Sequence, residues 1–221
     1  MTAREPPTDE SLPVVEPPAA ADHPGEDAGQ VAGVLLAAGT SSRFGDRNKL
    51  LATHEGEPLV RLAAETLVAS TLDPIVVVVG HEADRVRETL EELPVETVHN
   101  PAYASGQATS VRTAIETLQE RGEIDATVIA LGDMPFVNTA TIDALVAAYR
   151  DGVGDALAAA HDGERGNPVL FDRRFFETLT DVDGDVGGRA VLLKSDSAAL
   201  VAVDDPGVRR DIDEPTDLHG S

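Results

Sequence analysis

A three-layer α/β/α sandwich with a mostly parallel sheet is what the sequence predicts, on two observations. From residue 30 onward, short apolar runs alternate with stretches of helical periodicity. One of those runs, Ile75-Val76-Val77-Val78-Val79, is apolar at every position, as suits a parallel strand covered on both faces.

The elements follow in order. Residues 1–29 carry six of the fourteen prolines and seven acids against one Arg. Too few apolar groups stand there to offset ordering entropy, so 1–29 reads as a disordered, acidic, Pro-rich tail ahead of a folded domain, 30–221. Residues 31–36 read as a buried strand running into a Gly/Ser-rich loop. Residues 58–70 read as a helix with Leu59, Leu62, Ala63 and Leu67 on one face. After the 75–79 strand, 82–93 reads as helix and 95–99 as a short strand. Residues 106–119 place Val111, Ala114, Ile115 and Leu118 at helical spacing. Residues 126–131 are a further strand, and Asn138 can N-cap a helix carrying Ile142, Leu145, Val146 and Tyr149. The last third is less regular, with strands at 168–171 and 198–203 around short helices. The whole is Rossmann-like, and in such sheets ligands sit beyond the carboxyl ends of the strands.

Composition narrows the function. The 221 residues suit one domain with an extension. Forty acidic residues against 17 Lys plus Arg leave a net charge of −23, which repels nucleic acid and anionic membranes alike. Without cysteine there is no disulfide, Cys-ligated zinc, iron–sulfur cluster or thiol nucleophile. Neither a secretory leader nor an apolar run long enough for a membrane span is visible, so a cytoplasmic location is expected. Lys occurs only at Lys49 and Lys194, against fifteen Arg. Acid excess with scarce Lys suits a salt-rich, halophilic cytoplasm, where the Debye length falls to about 3 Å at 1 M salt. An ordinary acidic protein with a disordered tail is the other reading.

The loop after the first strand of the domain is the first candidate site. Small Ala37, Ala38 and Gly39 let backbone amides approach a ligand, Thr40, Ser41 and Ser42 add hydroxyls, and Arg43 and Lys49 add cations. It is neither a Walker loop nor a dinucleotide fingerprint. By composition it is either a phosphate loop or a plain strand–helix connection. A lysine retained at Lys49 in a Lys-starved chain favours the former, whereas Lys194 reads as a solvated helix residue. An Asp closing a buried strand, as in Leu131-Gly132-Asp133-Met134-Pro135, can aim a carboxylate at Mg²⁺ or cap the next helix.

Leu36-Ala37-Ala38-Gly39-x-Ser41-x-Arg43-x-Gly45, with Asn48-Lys49-Leu50-Leu51, resembles the signature of the MobA-like nucleotidyltransferases, and among them the molybdenum cofactor cytidylyltransferases. The resemblance spans about residues 31–218 and implies a nucleotide-diphospho-sugar-transferase-like version of the sandwich. It implies that Leu36, Ala37, Ala38, Gly39, Ser41, Arg43 and Lys49 hold the nucleotide, joined by Asn100, Gly106 and Ser110. Asp133 matches the metal-binding Asp of Leu-x-Asp-x-Pro, for Mg²⁺ or Mn²⁺. Asp213, in Asp211-Ile212-Asp213-Glu214-Pro215, is a second metal candidate, with Glu214 where Thr is usual. The alternative for it is a capping acid. Asn167, before Pro168, and Asp185 and Arg189 resemble acceptor-side motifs, although Asp185 and Arg189 would also make a structural pair. His81 reads as structural.

The resemblance implies a CTP-dependent transfer to a molybdopterin-type phosphate acceptor, with Lys49, Asp133 and Arg43 as catalytic residues and a molybdenum hydroxylase as eventual recipient. The Leu-Ala-Ala-Gly form implies CTP, Leu-Ala-Gly-Gly being associated with GTP. A guanylyltransferase, another NTP transferase of this fold, or a non-catalytic cofactor-delivery chaperone are the alternatives.

Overall fold

The structure is a computed structural model that describes residues 8, 11–18, 29–41, 44, 48–181 and 188–219. The strands are β1 (Val14–Val15), β2 (Val31–Ala37), β3 (Thr53–His54), β4 (Glu57–Pro58), β5 (Ile75–Val79), β6 (Glu96–His99), β7 (Ala126–Leu131), β8 (Ala156–His161), β9 (Glu164–Asp172) and β10 (Ala198–Ala202). The α-helices are α1 (Leu59–Val68), α2 (Ala83–Glu88), α3 (Gln107–Arg121), α4 (Thr139–Arg150), α5 (Phe176–Thr180) and α6 (Arg189–Lys194).

Eight strands form one sheet in the order β1-β10-β8-β9-β7-β2-β5-β6. Only β9 runs antiparallel to its neighbours, β7 and β8. Strand alternation divides the core in two. From β2 and β5, Val31, Leu35, Ile75, Val77 and Val79 pack with Val60 and Leu67 of α1, Val86 of α2 and Ile142 and Leu145 of α4. Ala32, Val34, Leu36, Val76 and Val78 point the other way, to Val111 and Ile115 of α3, Leu179 of α5 and Leu192 of α6. Every residue of β2 and β5 is buried, and each large aliphatic side chain so placed contributes about 1.5–3 kcal/mol. β3 and β4 form a separate hairpin turned by Glu55 and Gly56, both at positive φ.

Four sequence expectations change. Val14 and Val15, within the segment read as a tail, pair in parallel with Leu200 and Val201 of β10. Two adjacent β-branched residues suffice at a margin, where only one side of the backbone must be bonded and flanking prolines are tolerated. The helix read over 82–93 stops at Glu88, and Thr89 turns its hydroxyl back onto the Val86 carbonyl. β8 was not expected, because Ala-Leu-Ala-Ala-Ala favours helix over strand by propensity, yet its first five residues are buried between β10 and β9. Asn138 holds the N-cap position of α4 but makes no side-chain cap bond.

Candidate active site

Parallel register sets the site. Ala37 pairs with Val79, Leu36 with Leu131 and Val79 with His99, so the loops after β2, β5, β6 and β7 leave one edge of the sheet together. The loops after β2, β6 and β7, with the segment at Asp213, line a cavity of about 710 Å³, a size suited to a cofactor or nucleotide. Leu36, Ala38, Gly39, Thr40 and Ser41 form one wall, residues 103–107 with Ser110 another, and Lys49, Leu50, Leu131, Asp133 and Asp213 the remainder.

The first loop is held open by polar ties. Ser41 sits at φ 55°. Its hydroxyl donates to Oδ1 of the buried Asn48 at 3.3 Å and accepts the Lys49 N–H at 3.0 Å. Asn48 Oδ1 also accepts the Leu50 N–H at 3.1 Å, and Nδ2 donates to the His81 carbonyl at 3.2 Å. His81 N–H in turn donates to the Ala38 carbonyl at 3.2 Å. Packing explains the glycine at the end of β5: a Cβ on Gly80 would lie 2.6 Å from the Tyr103 Cβ and 2.8 Å from the Ala38 oxygen. Packing does not explain Gly39, where a Cβ would meet no protein atom within 4 Å. The absent methyl leaves room for a ligand.

Lys49 is the centre of charge. Its Nζ lies 2.6 Å from Asp133 Oδ2 and 2.9 Å from Asp213 Oδ1. Burial disfavours the ammonium, but the attraction and hydrogen bond of Asp133, with those of Asp213, outweigh it and raise the pKa of Lys49 above its ordinary value. The backbones converge as well, since the Ile212 N–H donates to the Asp133 carbonyl at 2.9 Å. Asp217 Oδ2 accepts the N–H groups of Asp213 at 3.0 Å and Glu214 at 2.8 Å, closing the turn that presents Asp213. Among the described residues lining the cavity, these three carry the charge and sum to −1.

Two carboxylates converging on one point make an oxygen donor set that fits a hard divalent cation. No group of three or more His, Cys, Asp or Glu side chains converges among the described residues. Phosphates and water would therefore complete the shell, as is usual for Mg²⁺.

Of the other expected nucleotide contacts, Gly106 and Ser110 line the cavity at the start of α3, whose positive dipole end suits an anion. Gly106 is at φ 109°, a conformation open to glycine. Asn100 does not line the cavity. Its side chain is buried, with Nδ2 donating to the Thr109 and Ser110 hydroxyls, both at 2.9 Å, and Oδ1 accepting the Ala102 N–H at 2.9 Å. Its side-chain bonds brace the wall that carries Gly106 and Ser110. Ala37 points into the core on the α1 side. Asn167 lies in β9 at a second, much smaller crevice lined also by Thr66 and Met134. Arg189 is exposed at the start of α6, off the cavity wall. Arg43 and Asp185 lie outside the described residues. Sequence reasoning missed Tyr103, Ala104 and Ser105. Tyr103 had left a signal, being one of only two tyrosines in the chain and standing three residues before Gly106.

Comparison with known proteins agrees in fold and family. The family model described as the MobA-like NTP transferase domain matches residues 33–203. Nicotine blue oxidoreductase of Paenarthrobacter nicotinovorans is 30% identical over 168 residues, 73% of this chain and 81% of that protein. The molybdenum cofactor cytidylyltransferase of Escherichia coli K12 is 27% identical over 189 residues, 84% of this chain and 92% of that protein. Among solved structures, Rv0371c of Mycobacterium tuberculosis H37Rv superimposes with a TM-score of 0.76 at 24% identity, covering 87% of this chain and 97% of that one. Its manganese complex gives 0.72 at 22% identity, covering 86% and 96%.

Proposed function

The chain belongs to the MobA-like NTP transferase family and is a nucleotidyltransferase; on that footing we propose that it transfers a cytidylyl group from CTP to a molybdopterin-type phosphate. The observation carrying this reading is Lys49 lodged between Asp133 and Asp213 on the wall of a nucleotide-sized cavity. The 27% identity to the E. coli cytidylyltransferase and the Leu36-Ala37-Ala38-Gly39 loop support the choice of base and acceptor.

In this reaction an acceptor phosphate oxygen attacks the α-phosphorus in line, a new P–O bond forms, the bond to the β-phosphate oxygen breaks, and pyrophosphate leaves. The nucleophile is ionised at neutral pH, so no side chain has to take its proton. What the protein supplies is position and positive charge. Ala38, Gly39 and Ser41 border the donor pocket, the amino end of α3 faces it, and the Lys49 ammonium meets the charge growing on the α-phosphate. With a net −1 on the described wall, a triphosphate needs further compensation. Asp133 and Asp213 would hold Mg²⁺ or Mn²⁺, supplying Lewis-acid neutralisation of phosphate charge. Arg43 is assigned to the β,γ end, and Asp185 and Arg189 to the acceptor side, by family motif alone.

The test is pyrophosphate release from CTP, GTP, ATP and UTP with Mg²⁺, with and without molybdopterin, in molar KCl. Fastest release from CTP, dependent on the acceptor, is expected; equal rates for all four nucleotides would refute the cytidylyl assignment. The 30% identity to nicotine blue oxidoreductase favours a second reading, an additional oxidoreductase activity toward nicotine blue. Redox turnover of nicotine blue by the purified protein, followed by absorbance, would establish that activity beside nucleotidyl transfer; no turnover would refute it.

A further inference from the structure

We infer that Asp205 is a positioning residue, anchoring the 205–213 segment so that Asp213 stands opposite Asp133. The inference rests on reading that pair as cation-holding carboxylates. Among the described residues Asp205 is the one buried carboxylate, only 3% exposed in a chain with forty acids. A charge so placed is tolerated only when fully hydrogen-bonded, and this one is. Oδ2 accepts the Asn138 N–H at 2.8 Å and the Thr141 hydroxyl at 2.6 Å, and Oδ1 accepts the Gly207 N–H at 2.9 Å. Asp205 thus ties down the start of α4, through the Asn138 N–H and the Thr141 hydroxyl, from more than sixty residues away.

From that anchor, 205–213 runs along 133–141 and is tied to it repeatedly. The Gly207 backbone abuts the Phe136 carbonyl so closely that a Cβ would lie 2.1 Å from its oxygen. The Arg210 guanidinium lies 3.9 Å from the centre of the Phe136 ring, a cation–π contact. Ile212 then bonds the Asp133 carbonyl, and the next residue is Asp213. The segment bearing one carboxylate is therefore built onto the loop bearing the other, with its buried fixed point at Asp205. An asparagine there would turn an NH₂ group against N–H or hydroxyl donors and release one side of the anchor.

The experiment is a titration of Mn²⁺ into the full chain in molar KCl, followed by electron paramagnetic resonance, for wild type, Asp205→Asn, Thr141→Val and Asp213→Asn. Asp205→Asn should weaken Mn²⁺ binding about tenfold, the scale of one charge-assisted hydrogen bond, and Thr141→Val about threefold. Excess metal should restore turnover in both, which loss of a merely structural tie would not produce. If the Asn variant does not fold, Thr141→Val decides. A folded variant with a lowered Tm but the Mn²⁺ affinity and metal dependence of wild type overturns the inference. Wild type that binds no Mn²⁺, or Asp213→Asn that binds as wild type does, overturns the reading of the carboxylate pair and the anchor with it.

Discussion

Replacing Lys49 with Met keeps most of the side chain's length and removes its charge. In the structure the ammonium lies within hydrogen-bond distance of both carboxylates that would hold a cation, at 2.6 and 2.9 Å. Before a divalent ion can use both, Lys49 must give up at least one of them. A hydrogen bond to a charged group contributes about 1.5–3 kcal/mol. The Asp133 and Asp213 side chains are 20% and 36% exposed, so solvent screening argues for the low end, about 1.5 kcal/mol. At about 1.4 kcal/mol per decade, that is a tenfold effect. Without nucleotide, Lys49→Met should therefore bind Mn²⁺ about tenfold more tightly than wild type, while its pyrophosphate release falls about 100-fold through loss of the phosphate-facing cation. Calorimetric Mn²⁺ titration in molar KCl measures the first and a coupled pyrophosphate assay the second, with Asp133→Asn as the control that the site is the one intended. An Mn²⁺ affinity that is unchanged or weaker in the Met variant refutes the competition.

Two further outcomes follow from single residues. Gly39→Ala should leave Tm within about 1 °C, because the added methyl meets no protein atom, yet weaken CTP binding about tenfold by occupying ligand space; fluorescence thermal melts and CTP calorimetry check both halves. Burial, reinforced by the hydrogen bond to Asp172, raises the pKa of Tyr149 well above the phenolic range. A raised folded-state pKa contributes stability that is fully present below about pH 10 and is lost as the pH climbs beyond it. Absorbance titration at alkaline pH should show one of the two tyrosines resisting ionisation until the protein unfolds, and Tyr149→Phe should remove that phase.

Legibility from sequence follows the range of the interaction. β2 and β5 are apolar throughout, and α3 and α4 repeat at helical spacing, so burial on two faces or one is written locally. The cluster of Lys49 with Asp133 and Asp213 joins residues up to 164 positions apart. Periodicity alone does not place them; a strand's carboxyl end and a scarce lysine pointed to two, and motif resemblance to the third. β8 escaped because its alanines carry no strand preference and are small for packing reasons that only neighbouring elements impose. Asn100 and Asn48 sit next to candidate ligand positions, and nothing local separates an amide that touches a ligand from one that braces its neighbours. Asp205 is one acid among forty, distinguished only by donors from Asn138 and Thr141 that sequence distance hides.

The pairing of Val14 and Val15 with β10 also bears on how the molecule keeps to itself. A parallel strand at the side of a sheet offers a free row of amide donors and carbonyl acceptors to any other extended chain, the usual opening for intermolecular strand addition. Here two residues of the same polypeptide occupy part of that row, and Pro13 before them and Pro17 and Pro18 shortly after discourage the addition of a further strand. Trimming the molecule back to residue 29 would bare this side of β10, the strand that leads into the segment Asp205 anchors.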